Sequence, residues 1–232
     1  MLEADFVIQS RLGSSRLPFK ASLELPSGDS CVKGTVVRCE KIIRKLGWNK
    51  RVYIACPKDE IEIYKSLCRG TNAIIFGGDG DNVAKRFLDL TTEFNISSLI
   101  RVTADNPYIC LDVAKFLSEQ STTESECISL FHQRKLPNGT VISLLSRPYL
   151  NALCNSRCKK SHEHLIISDD EEINKLIKKP NIPDYLSWPN GRFCLDDKED
   201  YLYFFKNFKI SEYLEVKEMK SKLSRRENVI LY

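Results

Sequence analysis

The chain has 232 residues, a length that an α/β domain fills as one unit, and a compact fold of this size withdraws roughly 70–75% of the unfolded chain's surface from water without needing disulfides or a structural metal. Its 35 lysines and arginines face 31 aspartates and glutamates, a formal charge of +4, which excludes the broad basic excess of a protein that coats nucleic acid. No apolar run is long enough to span a membrane, and Glu3 and Asp5 stand where a signal peptide would be basic; a cytoplasmic chain is expected, its nine cysteines reduced and mostly buried, with no disulfides.

From the N-terminus, short apolar runs at 5–9, 51–56, 73–76 and 98–103 alternate with helical-period stretches at 32–46, 59–68 and 81–94, and Pro57 and the Gly77-Gly78 pair mark boundaries. This is the pattern of strand, crossover helix and strand, hence of an α/β domain over residues 1–232 with a largely parallel sheet. Ligands of such sheets lie beyond the carboxyl ends of the strands, so the residues after Gln9, Phe76 and Thr103 should gather in one place. The second half is less regular. Residues 126–131 and 140–145 read as strands about a turn at Leu136-Pro137-Asn138-Gly139, 147–159 and 162–168 as helices, and 179–191, with three prolines, as loop. Residues 192–195 return the chain to the sheet, and helices follow over about 198–208 and 211–222.

Three segments could carry chemistry. Directly after the first strand comes Gln9-Ser10-Arg11-Leu12-Gly13-Ser14-Ser15-Arg16-Leu17-Pro18-Phe19-Lys20. Arg11, Arg16 and Lys20, interleaved with Gly and Ser whose backbone N–H groups can turn inward, suit several phosphate oxygens; the competing reading is an exposed basic loop. The GxxxxGK[ST] phosphate loop is absent. Asp105 follows the fourth strand, and Pro107 stops further pairing, so its carboxylate could reach into the crevice and take a hard cation such as Mg²⁺, or could cap the next turn. Asp196 and Asp197 close a short apolar run; one could join the same ion while the other caps the next helix. Asp81 or Asn82 could cap the helix that follows. Cys154, Cys158 and His162 stand at four-residue steps, but three ligands so spaced rarely converge on one tetrahedral zinc.

The segment 9–20, with Gly78-Asp79-Gly80-Asp81-Asn82-Val83-Ala84-Lys85-Arg86-Phe87, Arg101-Val102-Thr103-Ala104-Asp105-Asn106-Pro107, Leu136-Pro137-Asn138-Gly139-Thr140, Glu163-His164 and 192–200, resembles the cytidylyltransferases that activate acidic sugars, of the spore-coat polysaccharide type and, more distantly, the Kdo and sialic-acid types. The resemblance runs over nearly the whole chain. It implies a three-layer α/β/α fold of the nucleotide-diphospho-sugar transferase kind with a largely parallel mixed sheet. It also implies transfer of CMP from CTP to an acidic sugar with release of pyrophosphate, Mg²⁺ as cofactor, and a homodimer. Arg11, Arg16 and Lys20 would then hold the triphosphate with Gln9, Ser10, Gly13, Ser14 and Ser15; Asp105 and Asp196 would hold the metal; Asp81 and Arg86 would approach nucleotide or sugar; and His164 would be a site or interface residue. One position departs from the pattern: Phe19 stands where the family usually has glycine, and a bulky ring there would shift Lys20 or narrow the pocket. A weakened relative that binds nucleotide or sugar, and a nucleotide-sugar-dependent glycosyltransferase, are the alternatives.

Overall fold

A computed structural model describes residues 1–13, 17–121, 127–156, 165–166, 170–206 and 212–223, with the backbone alone for 204–206. Seven strands form one sheet: β1 (Asp5–Gln9), β2 (Val52–Pro57), β3 (Ile74–Gly78), β4 (Ser98–Thr103), β5 (Cys127–Ser129), β6 (Ser143–Ser146) and β7 (Ile177–Lys178), in the spatial order β3-β2-β1-β4-β6-β5-β7. Every pairing is parallel except those of β6, which runs against β4 and β5. From β1 the chain steps outward to β2 and β3, then returns to the other side of β1 as β4. That reversal opens a crevice at the carboxyl ends of β1 and β4.

Side-chain alternation divides the core between the two faces. Phe6, Ile8, Ile54 and Val102 pack on one face with Val32, Val36 and Cys39 of α1 (Cys31–Leu46), Val113 and Leu117 of α4 (Leu111–Glu119) and Met219 of a C-terminal helix over Val216–Leu223. Val7, Tyr53 and Leu99 pack on the other with Ala84, Phe87 and Leu90 of α3 (Val83–Glu93) and Tyr149, Leu150 and Leu153 of α5 (Arg147–Asn155). The result is the expected three-layer α/β/α arrangement. All six residues of β2 are buried, as a strand covered on both faces requires. Helix ends follow local chemistry: the Ser30 hydroxyl accepts from Lys33 N to start α1, and Gly47, at φ 70°, ends it.

Through β4 the strands and helices match expectation within one or two residues, except that residues 58–60 form a 3₁₀ turn before α2 (Ile61–Leu67); α4, which follows β4, is not among the expected elements. The second half holds two elements the sequence pattern does not announce, α6 (Glu171–Lys175) and β7, both too short to show a period. Residues 192–195 do not rejoin the sheet. The places beside β4 are filled by β1 and β6, so the run crosses the strand ends instead, with Phe193 N on Asn138 O and Leu195 N on Asp105 O. The expected helix over 162–168 lies outside the described residues apart from Leu165 and Ile166, which are buried. The last two helices are α7 (Lys198–Lys206) and α8 (Val216–Leu223). Among the described residues no helix is long and apolar enough to cross a membrane.

Candidate active site

Two carboxylates distant in sequence meet at one ammonium group beyond the ends of β1 and β4. Lys20 Nζ donates to Asp105 Oδ2 and, at 3.4 Å, to Asp196 Oδ1. All three side chains are partly exposed. Burial is the largest single influence on Lys20 and pulls its pKa down, but Asp105 and Asp196 together outweigh it and the net displacement is upward. The other oxygen of Asp105, Oδ1, is buried and has no hydrogen-bond partner. A convergent pair of hard oxygen donors, one atom unpaired and the pair already gathered about a positive charge, fits a divalent cation.

Separate local devices bring each group there. Asp105 leaves β4 with Asn106 N bonded to Thr103 O and Ala104 N bonded to Gln9 O. Ala104 O is in turn held by Thr35 Oγ1 and by the Cys31 thiol of α1. Asp196 is carried by the strip 192–196, which is braced by the Leu136–Thr140 turn: Asn138 bonds to Gly191 and Phe193, and Gly139, at φ 88°, lies so near the Phe193–Cys194 peptide that a Cβ would fall 2.3 Å from the Phe193 carbonyl carbon. No other residue fits there. Asp197 takes the capping role, its Oδ1 accepting from Asp200 N, while Asp200 Oδ2 accepts from Asp196 N and Asp197 N. Asp200, almost fully buried, also receives Arg192 side-on at 2.6 and 2.8 Å. The two adjacent aspartates are therefore separated by geometry, Asp196 toward Lys20 and Asp197 to the helix.

The opening loop is closed by Phe19 N on Leu12 O and anchored by Glu60, whose carboxylate accepts Leu12 N with both oxygens, at 3.2 and 3.0 Å. Phe19 has φ 57° and ψ 21°, the left-handed conformation in which glycine is at ease, and its ring is 60% exposed. The bulky side chain thus keeps the turn, points away from the protein, and leaves Lys20 on its two carboxylates. Arg11, Gly13 and Asp81 are exposed around this opening. Ser14, Ser15 and Arg16, expected in the phosphate pocket, lie outside the described residues, as do Cys158, His162, Glu163 and His164.

Ser10 and Arg86 are placed differently from the expected ligand contact. Ser10 is buried with its hydroxyl 2.6 Å from the Tyr64 hydroxyl. Arg86 is 1% exposed, and its guanidinium donates to the carbonyls of Asp79, Gly80, Ser10 and Ala55. It ties the end of β2, the end of β1 and the 79–80 turn together from inside; burial lowers its pKa, with Cys56, Asp79 and Glu60 opposing. At the same turn Asp79 Oδ1 accepts from the Asp81 and Asn82 amides, and Asn82 caps α3 through Lys85 N. Gln9 accepts at Oε1 from Arg101 Nε, 2.8 Å away. Glu60 lies in none of the quoted motifs, and Arg101 opens the Arg101–Pro107 motif without being given a role, although a lone arginine inside a largely apolar strand was an available signal.

A protein-family model described as "Cytidylyltransferase" matches residues 6–135. The spore coat polysaccharide biosynthesis protein SpsF of Bacillus subtilis is 27% identical over 205 residues, spanning 84% of this chain and 82% of that protein. An uncharacterized protein of Methanocaldococcus jannaschii, MJ1063, is 28% identical over 107 residues, which are 46% of this chain and only 42% of that relative's length. Among solved structures, a cytidylyltransferase from Leptospira borgpetersenii superposes with a TM-score of 0.78 at 21% identity, covering 100% of this chain and 98% of that one.

Proposed function

We propose that this chain, which belongs to the cytidylyltransferase family and is a nucleotidyltransferase, transfers CMP from CTP to a hydroxyl group of an acidic sugar. The oxygen–phosphorus bond forms at the α-phosphorus, the bond from that atom to the β-phosphate breaks, pyrophosphate leaves, and the hydroxyl proton passes to the medium. The observation that carries this reading is the meeting of Lys20, Asp105 and Asp196 at the sheet's topological reversal. Chemistry of this kind asks the protein mainly for positioning and charge neutralisation.

Lys20 would hold the polyphosphate as a point charge, with Arg11, Arg16 and the amides of the opening loop around it. Asp105 and Asp196 would hold Mg²⁺, which when bound neutralises phosphate charge. Gly139 and the strip beneath it keep Asp196 in position, and Arg86 fixes the floor under the loop. The spore-coat name of the Bacillus relative supports a role in polysaccharide synthesis. We further place the enzyme in the cytoplasm as a homodimer of one-domain subunits; the eight free cysteines among the described residues suit a reducing compartment.

The test is pyrophosphate release from CTP and Mg²⁺ with a panel of 2-keto-3-deoxy sugar acids. Release dependent on one of the acids is expected. CTP binding with no release across the panel would sink the transfer reading.

A further inference from the structure

The second face of the sheet changes character one step short of the crevice. Its apolar core ends at Val7, Leu99, Leu145 and Cys127; two residues on along each strand, the same face presents Gln9, Arg101, Ser143 and Ser129. Arg101 and Ser143 are directly opposed in the antiparallel pair of β4 and β6, a separation at which side chains meet. Among the described residues neither is fully satisfied. Arg101 spends only Nε, on Gln9 Oε1, and its two Nη groups have no protein partner among the described residues. The Ser143 hydroxyl is buried without a partner.

Arg101 is half-buried, so its guanidinium is partly drawn from water with no carboxylate bound to it among the described residues, and the unpaired buried hydroxyl of Ser143 adds to the cost. Burial lowers the Arg101 pKa to about 10, with Asp105 the foremost charge acting against it. An oxyanion that fills both needs relieves the cost, and the planar edge of an arginine matches the paired oxygens of a carboxylate or phosphate.

Asp105 is the electrostatic neighbour of both cations. Lys20 reaches it from the α1 side, near Cys31, whereas Arg101 belongs to the face covered by α3 and α5. An in-line displacement places attacking and leaving oxygens on opposite sides of phosphorus. With pyrophosphate drawn toward Lys20, the acceptor belongs on the Arg101 side.

Resting on the transfer reading above, we propose that Arg101, oriented by Gln9 and joined by Ser143, forms the pocket that binds the anionic group of the acceptor. Arg101 and Ser143 are thereby specificity-determining residues, and Gln9 is a positioning residue.

The experiment measures thermal shift and titration calorimetry on the full chain, with two sets of probes. One is CTP with Mg²⁺; the other is the 2-keto-3-deoxy sugar acids beside their neutral methyl esters. The wild type should be stabilised by at least one acid and not by its ester. Arg101→Met should weaken that acid at least about tenfold, the loss of a charge-assisted contact, and keep CTP affinity within about twofold. Arg101→Lys, the variant that preserves charge in the fold, should recover only part of the response because it lacks the paired donors. Ser143→Ala removes a hydroxyl that the unliganded protein leaves unpaired, so its own Tm should not fall while its response to the acid shrinks. An equal response to acid and ester in the wild type, or loss of CTP affinity in Arg101→Met with the acid response intact, overturns the assignment. Acid binding that follows this pattern without pyrophosphate release would sink the transfer reading and leave the pocket standing.

Discussion

Lys20 and Arg86 stand at the same end of the sheet and serve opposite ends. Lys20 is partly open to solvent and faces two carboxylates; Arg86 is closed off and faces four backbone carbonyls. The first arrangement leaves charges that a ligand can rearrange, since a polyphosphate and a cation can replace each partner. The second leaves little to exchange, because each donor meets a backbone carbonyl at the end of a strand or in a turn. Position in a motif and sign of charge are the same for both. What separates them is whether the partner is a solvent-reachable carboxylate at a crevice or a backbone carbonyl beneath it.

The comparison breaks most sharply under paired substitution. Arg86→Met should destabilise the fold by roughly 3–5 kcal/mol, since buried carbonyls lose their donor, seen as a large fall in the denaturation midpoint, while the fraction that remains folded still binds CTP. Lys20→Ala should do the reverse: a midpoint within about 1 kcal/mol of wild type, because the pair it removes is partly solvated, and a kcat lowered by roughly 10²–10³, as for loss of one charge-stabilising group. A folded, inactive Arg86→Met with unchanged midpoint, or an active Lys20→Ala, would erase the distinction.

Legibility in the sequence follows the same division. The four parallel strands and the helices between them are readable because each buries a periodic apolar face long enough to register, as in β2 and α1. Asp105 is readable because it falls at a strand end just ahead of a proline. The second half is less so, since α6 and β7 have five and two residues, and residues 192–195 have the composition of a strand but find both neighbours of β4 occupied. Residue chemistry alone leaves Asp196 and Asp197 open and only the family resemblance favours Asp196; in the fold Asp197 is taken up by the capping bond from Asp200 N, a matter of one residue's rotation. Arg86 sits in a readable motif, yet its burial depends on three separate segments closing over it.

Asp112 extends the comparison from cations to acids. Unlike Asp105, it works for the fold: its Oδ1 accepts Val113 N within α4 and its Oδ2 accepts Val216 N, stapling the start of α8. Burial pushes its pKa up to about 6, the two amides acting against that rise. The folded chain therefore holds a proton between about pH 4 and 6 that the unfolded chain has lost. The associated stability is complete below about pH 4 and disappears as pH rises through about 6. Allowing for partial solvent screening it amounts to about 1 kcal/mol. Asp112→Asn keeps an acceptor and does not titrate, so the wild-type-minus-variant difference in unfolding free energy should change with pH across that window; a flat difference would show that the carboxyl is not held by burial.

Phe19 tests the smallest effect, at the hinge between the two kinds of region. A left-handed residue with a Cβ costs about 1–2 kcal/mol relative to the right-handed helical region, and the exposed ring returns little by burial. Phe19→Gly removes that strain but widens the conformational freedom of the unfolded chain, an opposing term of roughly 0.5–1 kcal/mol. The net gain should be at most about 1 kcal/mol, read as a rise of a few degrees or less in Tm. Phe19→Val, branched at Cβ and ill suited to positive φ, should lose stability instead. Because Lys20 already reaches both carboxylates with Phe19 in place, the KM for CTP should stay within about twofold in Phe19→Gly, far below the tenfold that loss of a 1.4 kcal/mol contact would bring. A tenfold or greater rise would mean that the ring touches the nucleotide, and that the strain is retained for binding rather than tolerated by the loop.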